Sequence, residues 1–89
     1  MELRPIQILV DKEAYTHLGE QKYYLGFVSE KVTSAGVIMD FMTISIEGFA
    51  RWYMSFADYA SIVYPAVLIE RVKEIHTAAE KKIKQMECC

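Results

Sequence analysis

The side chains in this sequence that could do chemistry are few and scattered. Its two histidines, His17 and His76, lie far apart beside Leu18 and Ile75, and neither has a second titratable group at a spacing that would make it a general base. The only cysteines, Cys88 and Cys89, are adjacent at the C-terminus; neighbours bridge poorly, and with His76 they lack any familiar metal-ligand spacing. No serine sits in a nucleophile-elbow motif, and Gly26, Gly36 and Gly48 stand alone, so no phosphate-cradling loop is expected. Glu70 and Glu74 fall one helical turn apart on a charged face rather than in a pocket. The expectation is a non-enzyme with no catalytic residues, no metal site and no cofactor.

Binding chemistry is better represented. Lys22, Tyr23 and Tyr24 place a cation beside two aromatic rings, a combination that stacks single-stranded bases and neutralises phosphate. Arg51 flanks an aromatic run and adds a second cation. Lys22, Tyr23, Tyr24 and Arg51 are thus the groups able to contact such a ligand. The competing reading makes the tyrosines half-buried strand residues and pairs Arg51 with Asp58. Phe49, Trp52, Tyr53 and Phe56 recur at helical spacing, which reads as core packing rather than a ligand box.

These residues require elements to hold them. Ile6, Ile8 and Val10 alternate with polar Gln7 in a first strand, and Asp11 suits the N-cap of a helix over 11–18 that ends at Gly19. Residues 22–28 are aromatic and branched, which predicts a second strand with Gly26 as a bulge. Thr33-Ser34-Ala35-Gly36 supplies a turn into a third strand, 37–44, apolar on both faces and so in need of cover on both. Ser45 caps a second helix with Glu47 in its first turn, 60–64 form a fourth strand, and Pro65 ends it. From Val67 a long helix carries Leu68, Val72, Ile75, Ala79, Ile83 and Met86 along one face. The order is that of an α+β, ferredoxin-like split βαβ (β-α-β-β-α-β) antiparallel sheet, with an added C-terminal helix over its open face or a partner's.

Bulk properties bound the rest. Eighty-nine residues make one domain, spanning 1–89, whose core is modest for its 53% hydrophobic and 12% aromatic content. Some apolar surface must meet a partner, or the core is unusually aromatic. A net charge of −2 argues against a generally phosphate-coating protein. No run approaches the roughly 18–20 apolar residues of a membrane span, and no signal peptide is evident, so a cytoplasmic location is expected.

Gly48-Phe49-Ala50-Arg51-Trp52-Tyr53-Met54-Ser55-Phe56, then Ile62-Val63-Tyr64-Pro65-Ala66 and the charged final helix, resembles the end of the C-terminal extension (WCX) of WYL-domain transcriptional regulators. Departures from that pattern are Tyr24-Leu25-Gly26, where a His-Pro-Ser-like turn is common, and Ala57, where glycine usually follows Ser-Phe. The resemblance implies a bacterial, non-catalytic regulatory module, a fragment or remnant lacking the winged-helix DNA-binding and WYL core domains. It implies ligand sensing, with single-stranded nucleic acid among the effectors and Lys22, Tyr23, Tyr24 and Arg51 as the candidate effector contacts, and homodimerisation or docking to a WYL core. The alternative is a freestanding ferredoxin-like small-molecule-binding or assembly domain. The terminal Cys-Cys also resembles a prenylation signal, although nothing else resembles a small GTPase.

Overall fold

The computed structural model describes residues 2–18 and 20–87; the expectations placed on Gly19, Cys88 and Cys89 lie outside them. Four strands, β1 (Arg4–Val10), β2 (Phe27–Thr33), β3 (Gly36–Thr43) and β4 (Ala60–Tyr64), form one sheet. Their order is β2-β3-β1-β4, and every neighbouring pair is antiparallel. The helical connections, α1 (Lys12–Tyr15) and α2 (Ile46–Tyr53), each join two strands with a third strand between them. A long helix, α3 (Ala66–Glu87), completes an α+β domain.

The period-two pattern decides which face is covered. Ile6, Ile8 and Val10 of β1 and Val37, Met39 and Phe41 of β3 pair across the strands and are almost wholly buried. Phe49, Ala50, Tyr53 and Phe56 pack onto them from α2 and the 3-10 segment Met54–Tyr59. Rings meet edge to face from Phe27 through Phe41 and Phe49 to Trp52 and Phe56, with centroids 4.7–5.7 Å apart. Phe49, Tyr53 and Phe56 of the aromatic stripe are thus core, as their spacing predicts, and Trp52 packs half-buried against them. The other sheet face carries Gln7, Leu9, Ile38 and Asp40, all half-buried, with the Gln7 amide donating to Asp40 at 3.0 Å.

Two elements differ from expectation. The first helix is a single turn: Asp11 leads it without a side-chain cap, and His17 and Leu18 bond back only three residues, to Ala14 and Tyr15, which tightens the chain instead of extending the helix. Its expected inner face, Ala14 and Leu18, is nevertheless buried. The stretch expected as strand 22–28 begins as a 3-10 helix over Gln21–Leu25. Lys22 is buried while Tyr23 and Tyr24 are both exposed, a disposition that a strand's alternation forbids and a helical turn allows. Gly26 ends this turn at φ 87°, where a Cβ would stand 1.9 Å from the Met42 carbonyl oxygen. The register irregularity expected at Gly26 falls just after it, between Phe27 and Ser29.

Ser45 caps α2 as expected, its hydroxyl accepting from the Gly48 amide at 2.9 Å. The final helix packs on α2 and β4 rather than closing over the open sheet face: Leu68 joins the core, and Val72 and Ile75 lean on it. From His76 to Glu87 every residue is exposed, so the second half of α3 runs past the body while its apolar positions continue.

Candidate functional site

The four candidate contacts are divided among three environments. Lys22 enters the edge of the core, where its ammonium donates to Glu30 at 2.8 Å and to the Tyr15 hydroxyl at 3.1 Å; Tyr15 in turn donates to the second Glu30 oxygen. The Phe27, Tyr15 and Tyr23 rings surround the same nitrogen at 4.6, 5.0 and 5.3 Å. Burial works against the charge on Lys22, but the hydrogen bonds to Glu30 and Tyr15 outweigh it and raise its pKa above the ordinary value. The same bonds, that from Lys22 foremost, hold the Glu30 carboxyl below its ordinary range. This ammonium is committed to an internal triad.

Tyr23 and Tyr24 face outward, 62% and 87% exposed. With Leu3, Leu25, Met42 and Ile44 they line a cleft of about 480 Å³ floored by Phe49. Gly26 permits this geometry, because its close contact with Met42 brings the tyrosine-bearing turn against the end of β3. Leu3, Tyr23, Tyr24, Met42 and Ile44 leave apolar side chains exposed around this cleft.

Arg51 lies on α2 and borders a separate groove along α3, beside Arg71, Ile75 and Lys82. Its partner is Glu47, one turn back at 2.9 Å, in place of the expected Asp58. Glu47 also accepts from Arg71 of α3, at 2.6 and 3.0 Å. The Arg71 guanidinium, with Arg51 assisting, lowers the Glu47 pKa to about 2.

A further cavity, of about 360 Å³, was not visible in the sequence. Glu13, His17 and Gln21 wall one side, Trp52, Ser55 and Tyr59 the other, over Ala14, Leu18 and Phe56. The Trp52 indole donates to the Gln21 side-chain oxygen at 3.1 Å and ties the two walls together. Its residues come from segments that no local motif connects; only the tertiary approach of α1 to the Met54–Tyr59 segment assembles them.

Among the described residues no three His, Cys, Asp or Glu side chains converge as metal ligands, and no helix is long and apolar enough to cross a membrane. No protein family, curated protein or solved structure matches the chain.

Proposed function

We propose that the chain is a non-catalytic regulatory and oligomerisation module with a ferredoxin-like fold, of the kind found at the C-terminus of bacterial WYL-type transcriptional regulators. In this reading it transmits effector binding to a separate DNA-binding domain. The observation that carries it is the cleft of Leu3, Tyr23, Tyr24, Met42 and Ile44, where five large apolar side chains stand exposed on one side of a small domain. Two helical connections that each skip one strand of the sheet support the ferredoxin-like assignment. The segment that suggested the regulator resemblance forms a continuous α2–β4–α3 unit around the aromatic core.

The physical mechanism is a shared interface. Docking at the cleft, against a WYL core or a second copy, buries Tyr24 and Ile44, and an effector at the seam shifts the balance of docked and free states by its differential affinity. Of the candidate contacts, Tyr23 and Tyr24 have free ring surface for a nucleic-acid base, whereas Lys22 acts by holding the turn that presents them. Sedimentation velocity at micromolar concentration, with and without a short single-stranded oligonucleotide, tests this reading. A reversible dimer or an oligonucleotide-dependent shift supports it. A monomer indifferent to oligonucleotide, in the isolated chain and beside a WYL core alike, removes it.

A further inference from the structure

The cavity between α1 and the Met54–Tyr59 segment belongs to neither surface invoked above. At about 360 Å³ it is the size of a small-molecule site, for which roughly 300–1,000 Å³ is usual. Its floor is apolar, because Ala14, Leu18 and Phe56 are buried core residues. Its polar groups stand on the rim, and their remaining hydrogen-bonding capacity is uneven. The Trp52 N–H is spent on Gln21, so the indole offers a guest its ring and not its donor. The Ser55 hydroxyl donates to the Trp52 carbonyl at 2.6 Å and has only its lone pairs to give. Glu13 supplies the one carboxylate of the lining, and no lysine or arginine lines it. His17, the Gln21 amide and the Tyr59 hydroxyl can also donate from the rim, so neutral hydrogen bonding does not choose between guests; the Glu13 carboxylate and the Trp52 ring do, and both favour a cation.

We propose that this cavity binds a small amphiphilic amine, its aryl or alkyl body on Leu18, Trp52 and Phe56 and its ammonium at Glu13. An organic carboxylate of the same shape is disfavoured, since it would meet Glu13 with like charge and find no lysine or arginine in the lining, only the imidazole of His17. The site stands on the isolated chain and does not depend on the regulator assignment, so its failure and the failure of that assignment are separate results.

The single tryptophan gives one indole N–H resonance, which reports directly on the cavity. The 89-residue chain is titrated with 2-phenylethylamine and, separately, with phenylacetate. Saturable displacement of the Trp52 indole signal by the amine is expected, with phenylacetate at least about threefold weaker, as one exposed charge interaction provides. Glu13→Gln should weaken the amine by about three- to fivefold and leave phenylacetate no weaker. Ser55→Phe, at an exposed rim position, should occlude the cavity and abolish the saturable shift for both. A linear, non-saturating response, equal affinity for the two probes, or an unchanged amine affinity in Glu13→Gln overturns the proposal.

Discussion

Glu47 of α2 and Arg71 of α3 lie 2.6 Å apart at their closest approach, and this ion pair joins the domain body to the helix that projects from it. Arg51 approaches the same carboxylate from one turn along α2, and Glu74 braces Arg71 at 3.2 Å. The first half of α3 is therefore held to the body by Leu68, Val72 and Ile75 underneath and by a charge network at the surface.

The network gives the joint a pH dependence of definite sign. The Glu47 pKa is lowered from 4.5 to about 2, first by Arg71 and then by Arg51. A depressed carboxyl contributes stability that is fully present above the unfolded value and is lost as pH falls through the folded one. The melting-temperature difference between the natural chain and Glu47→Gln should accordingly be constant above pH 4.5 and disappear by about pH 2. Because the pair is exposed, the difference should be small and shrink further in high salt. A difference that persists unchanged below pH 2 would show that Glu47 acts through packing and not charge.

The Lys22–Glu30–Tyr15 triad makes a second prediction. Lys22→Met keeps the stem and removes the ammonium, leaving Glu30 to Tyr15 and partial solvent. A loss of about 1–3 kcal/mol is expected in denaturant unfolding. Glu30→Gln should cost a similar amount, and the double variant less than the sum, because each single change strands the other partner. The raised Lys22 pKa contributes stability present below 10.5 and lost as pH rises through its folded value. The lowered Glu30 pKa contributes stability present above 4.5 and lost as pH falls. Between those limits the coupling should be flat.

The aromatic stripe divides into a deep and a shallow part. Phe49 is wholly buried, touching Phe41 and Trp52, and Phe49→Ala should destabilise by about 3–5 kcal/mol. Trp52 is half-buried, and Trp52→Phe keeps a ring against Phe56 while losing the bond to Gln21, for about 0.5–1.5 kcal/mol. Equal costs from chemical denaturation would mean that the cavity wall, and not the core beneath it, governs this region.

How much of this was legible in the sequence depended on whether the signal was local. Alternation in Ile6-Gln7-Ile8-Leu9-Val10 located β1, the Ser45 cap located the start of α2, and residues 60–64 with Pro65 located β4 within its observed bounds. Residues 22–28 misled because β-branched and aromatic composition cannot distinguish a strand from a turn whose shape is imposed by a glycine packed on a distant carbonyl. The same tertiary fact decided the site. Lys22 looked like a free cation until Glu30 and Tyr15 closed on it, whereas the pairing of Arg51 with Glu47, one helical turn back, was a local signal that the sequence did carry. The cavity could not be read at all, since Gln21 and Trp52 meet only in the folded chain.

Apolar surface remains exposed both at the cleft and on the projecting helix. Tyr24 is 87% exposed, Ile44 62% and, on the projecting half of α3, Ile83 50%. Side chains this exposed contribute little to the fold of one chain, so Tyr24→Ser, Ile44→Ser and Ile83→Ser should each change its stability by no more than about 0.5 kcal/mol. If the cleft is the docking face, Tyr24→Ser with Ile44→Ser should weaken self-association by tenfold or more, since about 1.4 kcal/mol suffices for that factor. Ile83→Ser should leave association unchanged, because the cleft lies at the end of β3 and Ile83 does not line it. Sedimentation equilibrium on the variants separates the two surfaces. Should Ile83→Ser alone dissociate the dimer, association runs through the projecting helix, and the cleft is left for a different domain.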